Sequence, residues 1–460
     1  MKKKLKIFTL LLCVLFLSTC NSTTSSTIMN HVDLYRSYDS GGSHLLHIDN
    51  KLVFLGLPFV PHEDINPTYI DLNECDLNGK LLLSKQLKLS KGYIPYNDVK
   101  IASNSRNLFM AYTYRLSDNE SLFIAKLEKN YTVVWTKLLK HTDHHMNISR
   151  ISANELGDLF LSGECFDPSN DTTKCYTIQI DDKERIKYQD EMFIKSPSFK
   201  PDALNLRSTV VDDSGNLFFV GWTFSIGNSN WENALGFLGK INSSGKLEYL
   251  KGISKSKQTG ITQFREVYLM PNNHLLIMGS DGFNGIFFFE FNREGEFIRA
   301  INLIGSQSKF IIPEVLLHNE NILLAQIIDG AKEDDFDEFT LISLLWDSKN
   351  PVIINSKQSY LGLATLYEDY ILEPYQKGET SFYSMYQTKQ LQILLLGFTS
   401  SGELVTSGIK KKVVELPLKC IDVSKEIMAE DWLLNGNIVR KKMNFESKNI
   451  ENLLTCINYP

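Results

Sequence analysis

Three histidines and an aspartate crowd one short segment of the chain. His141, His144 and His145 surround Asp143, and imidazole and carboxylate groups are common ligands of transition metals. Groups that follow one another along a loop, however, seldom converge on a single ion. We therefore interpret the segment as a polar loop of a binding face, and we predict neither a metal site nor a cofactor.

A second polar segment is strongly acidic. Residues 333–338 read Glu-Asp-Asp-Phe-Asp-Glu, so Asp334, Asp335 and Asp337 supply the oxygen ligands that calcium prefers. The run lacks the glycine and the spaced acidic positions of a calcium-binding loop. We interpret it as a solvated loop of the same binding face, where its charge would steer a basic partner.

An exposed aromatic side chain is predicted at Trp231, which lies in a long polar segment, residues 224–232, between two strand-like runs. Aromatic residues at loop tips are good anchors for sugars and protein partners. The chain contains no glycine-rich phosphate loop, no Gly-x-Ser-x-Gly turn and no His-Glu-x-x-His motif. The sequence therefore predicts binding residues but identifies no catalytic residue.

Five cysteines follow Cys20 in the sequence. Cys165 and Cys175 flank a ten-residue excursion between two predicted antiparallel strands, where a disulfide would clamp the loop. A disulfide between Cys420 and Cys456 would cross-link the C-terminal tail. A zinc site is disfavoured because no Cys-x-x-Cys spacing occurs.

These candidates must be positioned by the repeats that fill most of the chain. Turn signals recur at intervals of about 50 to 60 residues, each between two runs rich in β-branched and aromatic residues. The signals are Asn78-Gly79, Lys129-Asn130, Asp182-Lys183, Ser244-Gly245, Glu294-Gly295, Ser348-Lys349 and Ser401-Gly402. A period of this size built from short strands predicts an all-β, seven-bladed β-propeller of four-stranded antiparallel blades. Eight blades are the alternative.

The fourth repeat shows the pattern most clearly. We predict its strands at 206–211, 217–223, 234–242 and 247–253. Across residues 212–246, the motif D-x-x-G-N-L-F-x-x-G followed by F-x-x-K-I-N-x-x-G-K resembles the bacterial β-propeller repeats of the SBBP and NHL-like kind. The resemblance implies the propeller fold and carries over no active site, because its motif residues serve turns and packing.

The N-terminal residues indicate an export signal. Basic residues 1–6 precede an apolar segment, residues 7–17, that is too short to span a bilayer comfortably. Leu17-Ser18-Thr19-Cys20 resembles the lipobox of bacterial lipoproteins, which implies a signal peptide over 1–19 and a lipidated Cys20. Residues 20–30 would form a flexible tether. We expect the protein in the cell envelope, lipid-anchored at the outer membrane or at the outer face of the plasma membrane.

We assign the remaining chain to one domain and a tail. Residues 31–410 form the predicted propeller, since a ring of blades escapes the usual size limit of a single core. Residues 411–460 form a tail that completes a blade or closes the ring, with a hairpin at 433–439 and a short helix at 447–457. Closure by strands from both termini would remove exposed sheet edges.

Charge narrows the choice of partners. The formal net charge is −6, and the predicted signal peptide contains four of the lysines, so the exported chain is more acidic still. This negative net charge argues against nucleic acid as a binding partner, because a protein that binds nucleic acid requires a basic surface. We expect a non-catalytic binding or scaffold module for a protein or glycan. The alternative is an exported propeller enzyme, a hydrolase or lyase, in which acidic residues of separate blades meet over the central channel.

Overall fold

A computed structural model shows the fold of the chain. It describes residues 28–29, 45–48, 51–56, 69–76, 81–89, 99–116, 119–141, 145–167, 172–194, 204–224, 234–255, 263–280, 286–304, 314–318, 321–328, 337–346, 352–361, 373–377, 380–387, 392–399, 411–415, 419–431, 438–443, 445–449 and 454–458. Within these ranges the chain forms strands, turns and a 3-10 turn at Ser424–Glu426, without an α-helix. The all-β prediction is confirmed. None of the described segments is a helix long and apolar enough to cross a membrane.

The strands that precede the tail follow one another in chain order. They are β1 (Ile28–Met29), β2 (Leu45–Ile48), β3 (Lys51–Gly56), β4 (Tyr69–Asp76), β5 (Leu81–Leu89), β6 (Lys100–Ser103), β7 (Asn107–Leu116), β8 (Asn119–Glu128), β9 (Val133–His141), β10 (His145–Ala153), β11 (Leu159–Asp167), β12 (Thr172–Ile180), β13 (Ile186–Ile194), β14 (Leu204–Val211), β15 (Leu217–Phe224), β16 (Ala234–Ile241), β17 (Leu247–Lys255), β18 (Gln263–Leu269), β19 (Leu275–Ser280), β20 (Ile286–Phe291), β21 (Phe297–Ile304), β22 (Glu314–His318), β23 (Asn321–Ile328), β24 (Asp337–Leu345), β25 (Val352–Leu361), β26 (Glu373–Lys377), β27 (Thr380–Gln387) and β28 (Gln392–Thr399).

Strands that follow one another in the sequence pair in groups, and each group forms an antiparallel sheet. We number the sheets by their first strands: sheet one contains β2–β5, sheet two β6–β9, sheet three β10–β13, sheet four β14–β17, sheet five β18–β21 and sheet six β22–β25. Sheet seven contains β26–β28 and, beside β28, the N-terminal strand β1. Each of the sheets one to six therefore runs from a first strand to a fourth strand in sequence order.

The C-terminal tail adds a fifth strand to six of the sheets. Its strands pair with the fourth strands in reverse order, from sheet six back to sheet one: β29 (Lys411–Glu415) with β25, β30 (Lys419–Asp422) with β21, β31 (Ile427–Asp431) with β17, β32 (Ile438–Lys442) with β13, β33 (Phe445–Asn449) with β9 and β34 (Leu454–Asn458) with β5. The prediction of four-stranded blades is therefore wrong for these sheets. Each fourth strand offers a row of unpaired backbone groups, and one segment of the tail pairs with each row.

The predictions made inside the tail are corrected in the same way. The short helix predicted at 447–457 is wrong, because residues 447–449 belong to β33 and residues 454–457 belong to β34. Residues 433–437 of the predicted hairpin lie outside the described part of the chain, and Ile438 begins β32. The described strands of the tail are distributed over six sheets.

Tight turns lie at one end of the sheets, which we call the turn end; the first strands begin at the opposite, loop end. In the turn at 242–246, the Asn242 side chain accepts hydrogen bonds from the backbone of Ser244 and Lys246, at 3.1 and 2.9 Å. Gly245 adopts φ +85°, which glycine reaches without strain. Turns at the predicted signals of residues 129–130, 182–183, 244–245 and 294–295 are confirmed. The other three signals lie outside the described residues.

Large apolar side chains fill the space between neighbouring sheets. Phe160 of sheet three packs with Phe219 and Phe237 of sheet four, and Phe218 of sheet four packs with Phe289 of sheet five. All five rings are almost completely buried. Burial of one such ring contributes roughly 1.5–3 kcal/mol, so each sheet is stabilised chiefly by the sheets on either side of it.

Polar contacts at the turn end repeat from sheet to sheet. The Tyr131 hydroxyl of sheet two bonds to Glu74 of sheet one. Tyr249 of sheet four donates to the backbone oxygen of Arg293 in the turn of sheet five, at 3.3 Å. Because a strand residue of one sheet contacts the turn of the next sheet each time, these bonds fix the spacing of neighbouring sheets.

Candidate anion-binding site

The first strands of sheets three, four and five approach one another closely. Ser208 Oγ of β14 donates to Glu266 Oε2 of β18 at 2.6 Å. Arg150 Nη2 of β10 lies 3.9 Å from the same oxygen, although sheet four separates its sheet from sheet five. Three successive first strands therefore converge on one carboxylate.

A β-bulge places an arginine in two of these strands. The register of β14 shifts on either side of Arg207, and the register of β18 shifts on either side of Arg265. A bulge leaves one residue unpaired and re-aims its side chain. Gly221 lies opposite the bulge of β14, where a Cβ atom would meet the Asn205 backbone oxygen at 1.9 Å. The bulges put two guanidinium groups at equivalent places in adjacent sheets.

Neighbouring side chains orient the two arginines. The Arg207 guanidinium lies 5.6 Å from the ring centroid of Trp222, which faces Asn205 across the ladder. Arg265 donates a hydrogen bond to the side-chain oxygen of Gln263. Burial, together with the nearby charge of Arg207, lowers the pKa of Arg265 to about 10. Two like charges that are partly removed from water are stabilised by an anion.

Glu164 of β11 brings a carboxyl group to the same region. Burial raises the pKa of Glu164, and the attraction of Arg207 offsets only part of this increase. Its Oε1 atom has no hydrogen-bond partner among the described residues. Glu164 is therefore a buried acceptor within the electrostatic reach of a guanidinium group.

Buried donors outnumber buried acceptors in this region. Asn205 Nδ2, Arg207 Nε and Arg265 Nε have no hydrogen-bond partner in the described part of the protein. An unsatisfied buried polar atom costs roughly 1–3 kcal/mol. A ligand that carries acceptor oxygens and negative charge would satisfy these donors. We call the following group the inner-strand site: Arg150, Glu164, Asn205, Arg207, Arg265 and Glu266.

The structure separates the histidines predicted at the binding face. His141 ends β9, an outer strand of sheet two; it is buried, and its ring meets the edge of Phe445 at 5.6 Å. His145 begins β10, the first strand of sheet three, where its Nδ1 lies 3.7 Å from Glu120 Oε2. His141 therefore belongs to the fourth strand of sheet two and His145 to the first strand of sheet three, so the two residues lie in different sheets. His144 lies outside the described residues.

The remaining binding candidates are only partly described. Trp231, Asp334 and Asp335 lie outside the described residues, as does Cys20. Asp337 begins β24 in sheet six, where its backbone pairs with Leu361. The roles proposed for these residues in binding and lipidation stay predictions.

The predicted disulfide between Cys165 and Cys175 is wrong. Both cysteines are buried, and they form no disulfide with each other. The ladder continues through this segment and pairs Cys165 with Lys174 and Cys175 with Glu164. Because adjacent residues of a strand point to opposite faces, Cys165 packs towards sheet two and Cys175 towards sheet four.

The second cysteine pair falls on two different sheets. Cys420 lies in β30 of sheet five, opposite Leu303. Cys456 lies in β34 of sheet one, opposite Leu87. The strands β31, β32 and β33 join sheets four, three and two between them. This placement gives no support to the predicted disulfide between Cys420 and Cys456.

The sequence interpretation missed the inner-strand arginines. A signal for them exists, because two successive repeats open their first strands with the same order of polar, apolar, arginine and polar residues: Asn205-Leu206-Arg207-Ser208 and Gln263-Phe264-Arg265-Glu266. Strand alternation alone assigns such an arginine to a solvated face. Only the bulge, which alternation does not predict, shows that both arginines lie beside the neighbouring sheet.

Comparisons with known proteins give the following findings. No family model matches the chain, and no curated protein matches it. Among solved structures, the polysaccharide lyase Uly1 is 9% identical with a TM-score of 0.46, over 83% of this chain and 94% of that chain. The acylaminoacyl peptidase of Pyrococcus horikoshii is 10% identical with a TM-score of 0.42, over 80% and 52%. The exo-beta-1,3-galactanase of Clostridium thermocellum is 10% identical with a TM-score of 0.29, over 82% and 82%. All three scores are below 0.5, so the conclusions below rest on contacts within the chain.

Proposed function

We propose that the chain is an exported β-propeller lipoprotein that binds an anionic protein or glycan at the inner-strand site without converting it. The observation that carries this proposal is the group of buried donors without partners among the described residues, namely Asn205 Nδ2, Arg207 Nε and Arg265 Nε, in two adjacent sheets. Such donors are costly when unpaired, so their grouping in one place favours recognition of an acceptor-rich ligand.

A closed ring of seven blades would gather the first strands around a central channel. Two observations support such a ring. The first strands of sheets three, four and five contact one another through Ser208, Glu266 and Arg150. The strand β1 pairs with the last sheet, with Ile28 opposite Leu394, although it precedes sheet one in sequence. The eight-blade alternative is disfavoured because the tail adds strands to existing sheets.

One observation favours the enzyme alternative as a second candidate. Burial raises the pKa of Glu164, and a carboxyl group with a raised pKa is typical of general acids in hydrolases and lyases. Glu266 contributes a second carboxylate from another sheet. We rank the binding role above the enzymatic role because the unpaired donors at Arg207 and Arg265 are sufficient to bind an anionic ligand and require no reaction. Depolymerisation of a bound acidic polysaccharide, abolished by Glu164→Gln, would reverse this ranking.

The cellular location is proposed from the sequence alone. We propose that residues 1–19 are removed on export and that Cys20 carries the lipid anchor, with residues 20–30 as tether. Expression in a bacterial host with labelled palmitate tests this: we expect label in the wild type and none in Cys20→Ala. Label retained by Cys20→Ala, or a wild type found only in the soluble fraction, would contradict the anchor.

Binding of an anion is tested with purified protein that lacks residues 1–20. We would titrate it calorimetrically with acidic and neutral polysaccharides and an acidic peptide. Arg207→Gln should weaken binding of the acidic ligand at least tenfold, because a charge-assisted hydrogen bond contributes roughly 1.5–3 kcal/mol. Added salt should weaken binding as well.

A matched control removes the same charge elsewhere. Arg185 is largely exposed at the turn end, where it pairs with Asp181. Arg185→Gln should therefore leave the affinity unchanged. Equal losses for Arg185→Gln and Arg207→Gln would show a diffuse charge effect, and the proposal would be wrong.

A further inference from the structure

An aromatic side chain is exposed at the loop end of sheet three. Phe166, the penultimate residue of β11, is 37% exposed. Among the exposed large hydrophobic residues whose side chains the structure describes, it is the one aromatic residue. The others are Leu82, Val134, Leu156, Ile298, Ile421 and Met428. An exposed ring offers a flat apolar face to a ligand.

A second ring holds Phe166 in place. The rings of His145 and Phe166 are nearly parallel, with an interplanar angle of 23° and 6.4 Å between centroids. Nδ1 of His145 lies 3.7 Å from Oε2 of Glu120, a buried residue of sheet two. We call His145 and Phe166 the aromatic platform. Both residues of the platform belong to paired strands of sheet three.

The strand register places the aromatic platform beside the inner-strand site. His145 pairs with Phe166, and two residues further along each strand Asn147 pairs with Glu164. Alternate residues of a strand point to the same face and lie about 7 Å apart. Glu164 in turn interacts electrostatically with Arg207 of the next sheet. Glu164 therefore neighbours both the aromatic platform and Arg207.

We propose that the inner-strand site takes a hexuronate saccharide, with one sugar ring stacked on the aromatic platform and its carboxylate bound by Arg207. This inference rests on the proposed function and names its ligand class. A hexuronate combines an apolar ring face, formed by C–H groups, with a carboxylate at the ring edge. A guanidinium binds a carboxylate through two parallel hydrogen bonds. Inorganic anions lack the ring, and acidic peptides present no flat apolar face beside each carboxylate.

The test is a calorimetric titration of the protein lacking residues 1–20 with tetragalacturonate. Neutral tetragalactose, a glutamate-rich peptide and inorganic sulfate serve as comparison ligands. We expect Phe166→Ala to weaken tetragalacturonate binding roughly tenfold, since the substitution removes the apolar face on which the sugar ring stacks. Phe166→Trp should keep the affinity within about twofold. Leu156→Ala, which removes an exposed apolar side chain at the turn end of the same sheet, should change nothing.

The outcomes separate the ligand class from the proposed function. Phe166→Ala binding tetragalacturonate as tightly as the wild type, while Arg207→Gln loses it, would overturn the hexuronate inference and leave anion binding intact. Equal affinity for sulfate, the peptide and tetragalacturonate would also overturn the hexuronate inference and leave anion binding intact. Failure of every anion to bind would overturn both proposals. Circular dichroism of each variant checks that the fold is retained.

Discussion

The indole Nε1 of Trp346 donates a hydrogen bond to Oε2 of Glu290, and this 2.9 Å contact joins the end of sheet six to sheet five. The same carboxylate meets His274 Nδ1 at 2.6 Å and Arg299 Nε at 2.7 Å. Burial by itself would raise the pKa of Glu290, but the bonds from His274, Trp346 and Arg299 outweigh it and hold the pKa below the ordinary value. The ionised form of Glu290 therefore stabilises the junction of the two sheets.

Glu290→Gln should lower the thermal stability of the protein. We expect a loss of about 3 kcal/mol, because the substitution leaves buried partners without their counter-charge. The depressed pKa means that Glu290 stabilises the fold above the ordinary glutamate value of 4.5, and that this stability is lost as pH falls through the native value. Melting temperatures near neutral pH and at acidic pH measure the difference, which should shrink in acid. Glu294→Gln, at an exposed position of the same sheet, is the control; an equal effect there would contradict the prediction.

Glu164→Gln should have the opposite effect on stability. Burial raises the pKa of Glu164, so the native state holds the proton more tightly than the unfolded chain does. Stability therefore falls as pH rises from about 4.5 through the raised native value. The glutamine variant lacks this titration and should be more stable than the wild type above that range, because it puts no charge into the buried site.

Melting curves at several pH values test this second prediction. The advantage of Glu164→Gln should disappear below the ordinary glutamate pKa, where Glu164 is protonated in both states. Glu248 provides the comparison, because the hydrogen bond from Lys240 lowers its pKa. Glu248→Gln should gain nothing at high pH. A Glu164→Gln variant that is less stable than the wild type at neutral pH would refute the argument.

Gly221→Ala should destabilise the fold by several kcal/mol. A Cβ atom at residue 221 would meet the Asn205 backbone oxygen at 1.9 Å and the Phe237 ring at 2.6 Å, and a backbone atom cannot move away without breaking the ladder. Gly215→Asn is the matched control, since a Cβ there meets nothing closer than 3.4 Å. Asparagine tolerates the φ of +78° at that turn. Thermal denaturation should show a large loss for the first variant and a small one for the second. Equal losses would mean that the close approach at the bulge of β14 is relaxed in solution.

Removal of residues 445–460 should loosen the outer edges of sheets one and two. The deletion takes away β33 and β34, which pair with β9 and β5. Backbone amides of β5 and β9 should then exchange with solvent faster, because the newly exposed edge lowers the cost of local opening. Amides of β17, which keeps β31, serve as the internal control. Hydrogen exchange of the truncated and the full-length protein, measured by mass spectrometry, tests this prediction. Unchanged protection of the β5 and β9 amides would contradict the pairing of these strands with β34 and β33.

Local pattern was sufficient to predict most of the individual strands. The strands predicted at 217–223 and 247–253 agree with β15 and β17 to within two residues at each end. Turn residues such as Gly245 and Gly295 marked the boundaries, because their positive φ is encoded by the residue type itself. Alternation and turn chemistry are local properties, and local properties are what a single sequence displays most directly.

The features that sequence did not reveal are non-local. The pairing of β34 with β5 joins residues separated by most of the chain, and short polar segments such as Phe445–Asn449 carry little signal of their own. The bulges that aim Arg207 and Arg265 depend on the partner strand rather than on the residue. The misassigned bond between Cys165 and Cys175 has the same cause, since a continued ladder, not an open loop, set the direction of each thiol.

The backward course of the tail has a consequence for biosynthesis. Sheet one is translated before sheets two to six, yet its fifth strand, Leu454–Asn458, follows the fifth strands of all those sheets in sequence. In each of these six sheets the fifth strand is translated after the other four, and the delay is longest for sheet one. A chain truncated just before Leu454 would therefore lose the fifth strand of sheet one while the other five sheets keep theirs.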